Sequence, residues 1–455
     1  MMTFDEKLKA RAGREDCPIP EDFDARMDAL LETLPAQAAP QRRRPVRRMV
    51  IVGVAAAVCL AGAAAAAPAV LSMARGAVGY FSAKPDSPYA SQLAAFEKYN
   101  AAVGVSQTVD GRTLTIDNLA VDDSYLHVFY TLSSETPIER HGDGSEPEAW
   151  LAQWSAPPFW AEIDGKPLNI EGTVKAEATF IDDRTIKGMR RMALDRNLPD
   201  QFDLLLYTGG SSSLADSEFQ FRLAVDKSAV AVESRTVEPK TNFEIYGHKV
   251  RIERLSISPF GSTITLSEAA EDPWQAFLLR DDKGNYLPLT DRGNTGSNGF
   301  TRVSNTYEFL GADKSTQSVT LLPISYDGAD APAHLVKGSL DSLPLTDASA
   351  DGLTLESLDV GAKKAVATFS VHGAVYTADA QFYLTGPDGG ELKVTGDTYF
   401  DCAVDRETGL ITATYYYPDA AAEELAQAEG IAFFQAAPLT LLEDQAITID
   451  LQPAQ

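Results

Sequence analysis

The sequence is poor in the residues that hold small domains together by covalent or metal cross-links. Its 455 residues include three cysteines and five histidines. Cys17, Cys59 and Cys402 lie in three different contexts, so the sequence predicts neither a disulfide framework nor a zinc cluster. No histidine has a partner at a metal-binding spacing such as HExxH. We therefore predict no metal and no cofactor, and folded parts that depend on packing alone.

Motifs of the common enzyme classes are also missing. The chain contains no nucleophile elbow GxSxG, no phosphate-binding loop GxxxxGK and no dinucleotide fingerprint. Acidic pairs such as Asp122 with Asp123 are interpreted as solvated turns, because no loop of calcium-liganding oxygens surrounds them. The sequence predicts that the protein is not an enzyme. A pair of carboxylates brought together only by the fold, as in glycosidases, is the alternative that sequence leaves open.

Basic side chains are scarce outside the N-terminal region. Lys and Arg number 39 against 65 Asp and Glu, which gives a formal net charge of −26. Sequence-independent binding of nucleic acid needs a contiguous basic surface, so we predict no direct contact with nucleic acid. The length exceeds that of one domain, and a hydrophobic content of 44% excludes a chain that is disordered throughout. Two to four folded units are expected.

One long uncharged run stands near the N-terminus. It extends from Met49 to Leu71, long enough as a helix to cross a hydrocarbon core of about 30 Å. Arginines cluster before this run and only Arg75 closely follows it, so the positive-inside rule places the N-terminus in the cytoplasm and the later domains outside. We predict a single-pass transmembrane helix in the lipid bilayer over residues 49–74. A secretory signal cleaved within Ala63 to Ala67 is the alternative.

The most clearly patterned helix precedes this run. Pro20 and Pro35 bound the stretch EDFDARMDALLETL, whose apolar residues gather into an arc about 100° wide with acidic side chains beside it. The arc consists of Phe23, Met27, Leu30, Leu31 and Leu34. We predict that this arc binds a partner through a hydrophobic groove with a basic rim. Alternatively, the helix packs on a second short helix within residues 1–12, or lies on the membrane surface. Residues 36–48 are interpreted as a basic linker.

Aromatic residues near and beyond the predicted span have two interpretations each. Tyr80 and Phe81 suit an interfacial anchor just past the exit of the helix, and equally an ordinary core. Trp150, Trp154 and Trp160 are predicted as core residues in preference to a carbohydrate platform.

After an expected exit helix within residues 75–104, the chain is rich in strand patterns and contains a threefold repeat. TLTIDNLAV begins at Thr113, KVRIERLSI at Lys249 and GLTLESLDV at Gly352. Each copy places apolar residues at positions 0, +2, +5 and +7, and again at +14 and +16. The slip from +2 to +5 reverses the buried face of the strand, as a bulge or a strand that changes sheets would do.

Each copy also has a later hairpin signal, around Gly165, Gly284 and Gly389. We therefore predict a mainly β chain with tandem immunoglobulin-like β-sandwiches outside the membrane. The alternative is chance similarity among strands of one larger sheet assembly. The three sandwiches cover residues 105–228, 229–345 and 346–455.

The order of these segments resembles a known family. A leader of the form PxxFxxRxxxLLxxLP is followed by a basic stop, one apolar run and an exit helix that ends EKYNAAVGVSQTVDGRTLTIDNLAVDD. This order is similar to that of bacterial single-pass membrane proteins of unknown function that are described as anti-sigma-factor-like. The resemblance covers residues 15 to 130. It implies that residues 1–35 bind an extracytoplasmic-function sigma factor through the arc defined above, while the ectodomain senses an unknown extracellular ligand.

One departure limits what the resemblance implies. Zinc-type anti-sigma domains use a cluster of one histidine and two cysteines, whereas residues 1–48 contain only Cys17 and no histidine. Redox sensing through such a metal site is not expected. The alternative function, of a different class, is a surface-anchored immunoglobulin-like protein that binds cell-wall polymer or another protein and has no regulatory role.

Overall fold

The computed structural model describes most of the chain beyond residue 74. The described residues are 57–58, 75–142, 147–168, 174–194, 196–209, 214–245, 247–269, 277–297, 302–325, 334–346, 351–375, 380–435 and 439–451. They belong to one compact unit, Val54–Gln455. The leader helix with Phe23, Met27, Leu30, Leu31 and Leu34, the basic linker and nearly all of the predicted transmembrane segment lie outside the described residues.

Antiparallel sheets dominate the described residues, which confirms the prediction of a mainly β fold. None of the helices in these ranges combines the length and the apolar character needed to cross a bilayer. Of the segment 49–74, only β1 (Ala57–Val58) is described, and it pairs in parallel with Ala224 and Val225. At Ala57 and Val58 the structure thus has a strand where a transmembrane helix is predicted. The rest of the segment lies outside the described residues, and for it the transmembrane helix stays a prediction.

Unit I contains two sheets around one apolar core. Its strands after β1 are β2 (Asn100–Val109), β3 (Arg112–Val121), β4 (Tyr125–Ser134), β5 (Phe159–Ile163), β6 (Lys166–Pro167), β7 (Val174–Asp182), β8 (Thr185–Ala193), β9 (Gln201–Thr208) and β10 (Phe219–Asp226). One sheet has the order β2-β3-β4-β8-β7 and the other β1-β10-β9-β5-β6. Leu114 and Ile116 of the first sheet share a core with Phe159 and Leu206 of the second. The alternating apolar residues of both sheets are thereby withdrawn from water.

Unit II begins with the strands β11 (Arg235–Val237), β12 (Thr241–Ile245), β13 (His248–Ser258), β14 (Gly261–Ala269), β15 (Phe277–Asp281), β16 (Tyr286–Leu287), β17 (Leu289–Ser297), β18 (Arg302–Phe309) and β19 (Ser318–Ser325). One sheet has the order β11-β13-β14-β18-β17, and β12 also pairs with β13. The other sheet contains β16, β15 and β19. Ile252, Ile264 and Phe277 lie in the core that both sheets share.

Unit III has the strands β20 (His334–Ser339), β21 (Leu345–Thr346), β22 (Gly352–Val360), β23 (Lys364–His372), β24 (Phe382–Thr385), β25 (Tyr399–Val404), β26 (Ile411–Tyr416) and β27 (Gly430–Gln435). Its sheets have the orders β21-β22-β23-β26-β25 and β20-β27-β24. Leu355 and Phe369 of the first sheet meet Phe382 and Phe433 of the second in one core.

The last two strands return to unit II. Strands β28 (Thr440–Leu441) and β29 (Ile447–Asp450) both pair with β19, so unit III is inserted between two parts of unit II. The predicted boundary between residues 229–345 and 346–455 differs from this arrangement in two ways. Strand β20, predicted in the second sandwich, belongs to unit III. Strands β28 and β29, predicted in the third, belong to unit II. The repeat motif marks where similar strands start, but it carries no information about which sheet a terminal strand joins.

The predicted slip in the repeat is a β-bulge in all three units, but the buried face does not reverse, because the apolar residues before and after the bulge pack on the same core. The register shifts between Ile116 and Asn118 in β3, and the equivalent shifts follow Ile252 in β13 and Leu355 in β22. The apolar residues at +14 and +16 lie on the next strand and pair with those at +5 and +2, as Leu119 does with Val128. The three predicted hairpin glycines lie at turns with positive φ angles of 72°, 88° and 71°.

Helices are short and few among the described residues. They are α1 (Arg75–Ala83), α2 (Leu93–Tyr99), α3 (Glu148–Ser155), α4 (Ser228–Ala231) and α5 (Ala422–Leu425). Helix α3 occupies the extra sequence of the first repeat copy. There the core prediction was wrong for Trp154, whose exposed fraction is 47%, while Trp150 contacts Tyr399 of unit III at a ring distance of 5.6 Å.

Candidate functional site: a buried junction of the three units

The predicted partner face lies outside the described residues, so no geometry joins Phe23, Met27, Leu30, Leu31 and Leu34. Among the described residues, no group of three His, Cys, Asp or Glu side chains could hold a metal ion. A groove of 320 Å³ between units II and III is lined by groups such as Leu278, Tyr286 and Val371 and has no acid–base pair. The most densely built polar arrangement is instead a buried junction beside the segment that leaves the apolar run.

We call residues 75–99 the collar, because this segment packs across the outer face of the first sheet of unit I. Tyr80, Phe81 and Phe96 are at most 4% exposed and form an aromatic cluster with Phe129 of β4 and Phe260 of unit II. The rings of Phe96 and Phe260 are stacked with centroids 4.7 Å apart. Tyr80 and Phe81 are thus core residues of the described fold.

Hydrogen bonds fix the collar at each end of α1. The backbone N–H of Ala77 donates to Oδ1 of Asn118 at 3.1 Å. The hydroxyls of Tyr80 and Ser87 both donate to Oε2 of Glu177, at 2.9 and 2.5 Å. Burial raises the pKa of Glu177, and the two hydroxyls oppose this shift. Glu177 lies on β7, so the collar is tied to the edge of the sheet as well as to its face.

Three charged side chains meet in the centre of the junction. Arg191 of β8 forms a bidentate ion pair with Glu308 of β18, in which its Nη1 lies 3.1 Å from Oε2. Arg406, from the turn between β25 and β26, places its Nη1 3.0 Å from the same Oε2. The side chains of all three are at most 6% exposed. Glu308 therefore joins all three units, because its partners come from unit I and unit III.

Aromatic faces complete the environment of these cations. The guanidinium of Arg191 lies 3.3 Å from the ring centre of Tyr125 and 5.3 Å from that of Tyr89. The guanidinium of Arg406 lies 5.1 Å from the same Tyr89 ring, which belongs to the collar. Such cation–π contacts are strongest where water is excluded. Burial by itself raises the pKa of Glu308, but Arg191 and Arg406 outweigh it and hold that pKa below its usual value.

Glycine at position 261 allows this close assembly. Gly261 begins β14 with a φ of +151°. A β-carbon there would lie 2.9 Å from the ring of Tyr125 and 3.0 Å from Oε1 of Glu308. Both the backbone conformation and the space thus require glycine at this point.

A buried carboxylate holds units I and II together next to the cluster. Asp122, between β3 and β4, accepts hydrogen bonds from the backbone N–H groups of Ser124, Tyr125 and Phe260, and from the hydroxyl of Ser258 at 2.5 Å. Burial raises the pKa of Asp122 while these donors oppose the shift. With four donors, the carboxylate is well satisfied despite its complete burial. The acidic pair that sequence assigned to a solvated turn is therefore, at Asp122, a buried contact between units.

Sequence reasoning missed the junction because its members are far apart along the chain. Tyr89 and Arg406 are separated by 317 positions. The only local signal is a charged residue flanked by two aromatic ones, as with Glu308 between Tyr307 and Phe309. That pattern indicates a buried charge but does not identify its partner.

Comparisons with known proteins match two segments of the chain. Residues 42–134 match the model of a domain of unknown function, DUF4179, and residues 234–346 match that of a family of unknown function, DUF5643. No curated protein matches the chain. A solved structure described as the conserved domain protein from Bacillus anthracis shares 14% sequence identity and a TM-score of 0.35 with this chain, covering 78% of it and 93% of its own length.

Proposed function

We propose that the protein is a membrane-anchored regulator of the anti-sigma-factor type. In this proposal the helical segment 1–35 binds an extracytoplasmic-function sigma factor in the cytoplasm, and residues 49–74 cross the bilayer once, which requires Ala57 and Val58 to leave their pairing with β10. The β units outside the membrane are immunoglobulin-like sandwiches that sense an extracytoplasmic ligand. The proposal assigns no enzymatic activity, no cofactor and no direct contact with nucleic acid.

The observation that carries this proposal is the packing of the collar. A protein that is merely anchored at a surface needs only a loose tether between its anchor and its binding domains. Here the residues after the apolar run place Phe96 against Phe260 and Tyr89 against Arg191 and Arg406. A rearrangement among the units would therefore change the environment of the tether directly, which a signalling protein requires.

The matched segment 42–134 supports the same connection. It spans the arginines, the apolar run, the collar and the first three strands after the run as one block. The distribution of charge also fits a chain divided by a membrane, because the strong net negative charge of −26 falls almost entirely after residue 74.

Strand pairing supports the immunoglobulin-like part of the proposal. In each unit the bulged strand pairs with the next one, and a hairpin strand of the opposite sheet, β5, β15 or β24, pairs with a later strand. Two facing sheets with a shared core are the architecture of such sandwiches.

The partner interaction is tested with variants of the leader helix in the full chain. Phe23→Ala and Leu30→Ala remove side chains from the arc, and Ala25→Ser changes the opposite side of the predicted helix as a matched control. We expect the two arc variants to lose a co-purifying sigma factor and to raise transcription from its promoters, while Ala25→Ser does neither. If residues 1–48 recover no sigma factor from the native cytoplasm, and neither arc variant changes a transcript, the surface-protein alternative is favoured.

Membrane topology is tested by cysteine labelling of intact cells with an impermeant maleimide. In a Cys402→Ala background, Cys17 is expected to react only after permeabilisation. Asp388→Cys, which replaces an exposed residue of unit III, is expected to react in intact cells. Labelling of Cys17 in intact cells, or recovery of the mature protein as a soluble species, would contradict the proposal.

A further inference from the structure

The turn between β25 and β26 presents Arg406 to the junction from a preformed loop. The carboxylate of Asp405 accepts hydrogen bonds from the backbone N–H groups of Glu407 and Thr408, at 3.1 and 2.7 Å, and from the Thr408 hydroxyl at 2.8 Å. The N–H of Gly409 closes the turn by donating to the Asp405 carbonyl at 2.9 Å. Because these bonds lie within the turn, Arg406 is held in position before it makes any contact with another unit.

Arg406 contacts units I and II and the collar with one side chain. Its Nη1 donates to the hydroxyl of Thr290 at 2.6 Å and pairs with Glu308 at 3.0 Å, both in unit II. Its Nη2 lies 3.4 Å from the hydroxyl of Tyr89, and its backbone N–H lies 3.4 Å from the carbonyl of Pro88. Through Glu308 it also reaches Arg191 of unit I.

The part of the collar that Arg406 touches has few other hydrogen bonds. We call residues 84–92, between α1 and α2, the connector. Pro85 and Pro88 have no N–H to donate, and the hydrogen bonds of Ser87 and Ala90 backbone groups close only local turns. Beyond those, the Ser87 hydroxyl bonds to Glu177, and the buried ring of Tyr89 also contacts His127. Loss of Arg406 would thus remove the polar contacts of Pro88 and Tyr89 with unit III and leave the connector held by packing and by Ser87.

The turn itself brings polar residues, Asp405 and Arg406, to this contact. Unit III touches unit II through apolar side chains elsewhere, because Leu310 of unit II lies in the core of unit III and Ala374 of unit III lies in the core of unit II. It is therefore the turn, and not the whole unit, that can separate without opening an apolar core. The contact between α2 and unit II is different, because there Phe96 stacks on Phe260. Polar interfaces between units are typical of those that open and close reversibly.

We propose that the turn Asp405–Gly409 is a releasable clamp by which the inserted unit III holds the connector against units I and II. While Arg406 lies in the junction, the connector is ordered; when the turn withdraws, the connector opens and the tether to the membrane segment loosens. The clamp would be the structural switch of the proposed regulator. Only its role in signalling rests on the proposed function; the contact itself does not.

The clamp is tested by hydrogen–deuterium exchange on the full-length protein in lipid nanodiscs. Arg406→Gln removes the charge, and Arg280→Gln is the matched control, because Arg280 forms a bidentate pair with Glu443 on the surface of unit II. In Arg406→Gln we expect amides of residues 84–92 to exchange at least about tenfold faster, with strands β14 and β23 unchanged, and we expect no such change in Arg280→Gln. Unchanged exchange in residues 84–92, or equal acceleration in β14 and β23, would overturn the clamp.

A milder variant tests the clamp if Arg406→Gln is unstable, and sigma-dependent transcription separates the clamp from the regulatory function. If Arg406→Gln does not fold, Thr290→Ala removes one hydrogen bond from Arg406 and leaves all charges in place. It is expected to accelerate the same amides by a smaller factor, and its failure to do so counts against the clamp. Faster exchange of the connector in Arg406→Gln without any change in sigma-dependent transcription would support the clamp and contradict the regulatory function.

Discussion

Glu177 helps to hold the collar against unit I, but ionisation of its carboxyl group weakens that contribution. It accepts hydrogen bonds from Tyr80 and Ser87 of the collar, and it is partly buried on β7. Burial raises its pKa above the ordinary value of 4.5, and the hydrogen bonds and Lys84 only partly reverse this. Because the folded state binds the proton more tightly than the unfolded state, the contribution of Glu177 to stability is complete below pH 4.5 and is lost as the pH rises through the folded pKa.

We therefore expect Glu177→Gln to stabilise the ectodomain at neutral pH. Glutamine keeps an acceptor for Tyr80 and Ser87 but carries no charge, so the penalty for burying the carboxylate disappears. Urea unfolding of residues 75–455 is expected to show a higher midpoint than wild type at pH 7.5 and an equal midpoint at pH 4.

Asp226→Asn is the control with the opposite sign. Hydrogen bonds from Ser228 and Gln201 lower the pKa of Asp226 below 3.8, so this residue stabilises the fold above that pH and the benefit is lost as the pH falls. Asp226→Asn is expected to lower the midpoint at pH 7.5. If both amides shift the midpoint in the same direction, the burial of Glu177 does not determine the effect.

The same two carboxylates show what sequence can establish at this scale. Asp226 precedes Ser228 by two positions, a local pattern that indicates a capped turn. Nothing near Glu177 indicates that two hydroxyls about 90 positions earlier will reach it. Likewise, the apolar alternation of β8 and β18 predicts strands, but the pairing of Arg191 with Glu308 depends on how two separate units dock. Residue-level contacts between units are beyond pattern reasoning for that reason.

At the level of elements, the β-bulge in the first strand of each repeat copy is the feature whose position the sequence predicted most accurately. The extra residue is acidic in every unit, namely Asp117, Glu253 and Glu356. In units I and III its carboxylate accepts a hydrogen bond from a hydroxyl of the neighbouring strand, Thr131 at 2.7 Å and Ser370 at 2.5 Å. A period-two pattern fixes which face is buried, so a change of phase within one strand requires such an inserted residue.

Deletion of Glu253 is expected to leave unit II folded. Without the inserted residue, Val250, Ile252, Leu255 and Ile257 follow one another at period two, and all four already lie in the same core. The partners of Ile252 and Arg254 are neighbours on β14, so the pairing with that strand can continue without a shift. Hydrogen exchange of β14 is expected to keep its protection in the deletion variant.

Substitution at the same position separates the bulge from the side chain. Glu253→Ala keeps the backbone count and loses only a half-exposed contact with Arg251 at 3.5 Å, so its cost is expected to stay below about 1 kcal/mol. Loss of β14 protection in the deletion variant but not in Glu253→Ala would mean that the bulge itself is required by the sheet.

Connectivity between elements was less accessible than the elements themselves. Sequence predicted three strand-rich units in tandem, but the return of β28 and β29 to β19 makes unit III an insertion. The pattern of β29, ITID, alternates like any strand and would satisfy an edge in either unit. The partner of such a strand depends on which sheet has an open edge nearby. The position of that edge is a property of the folded units and cannot be read from the sequence of the strand.

At the scale of the whole molecule, the collar explains why β4 is buried on both faces. Val128 and Tyr130 point into the core of unit I, whereas His127 and Phe129 lie on the other side, beneath the collar. All four are at most 2% exposed. Burial, followed by the nearby Arg191, lowers the pKa of His127 well below its ordinary value, so it packs as a neutral ring. The continuous apolar run YLHVFYTL is therefore typical of a strand covered on both sides.

The collar is accordingly expected to be part of the ectodomain and not of the membrane anchor. A fragment of residues 75–455 should unfold cooperatively, whereas a fragment of residues 100–455 should expose Phe129 and Phe260. Loss of the contacts of Tyr80, Phe81 and Phe96 removes roughly 1.5–3 kcal/mol for each buried ring, so a drop of about 5–9 kcal/mol is expected.

Urea unfolding and binding of a hydrophobic dye measure this difference, and Phe96→Ala in the longer fragment provides a matched intermediate with an expected cost of about 3–5 kcal/mol. Because Phe96 stacks on Phe260 of unit II, its truncation should also increase hydrogen exchange around that turn. Equal unfolding midpoints for the two fragments, with no added dye binding by the shorter one, would mean that the collar is an independent tether. In that case the collar would transmit no rearrangement of the β units towards the apolar run, and among the described residues the pairing of β1 with β10 would be the remaining direct link between that run and unit I.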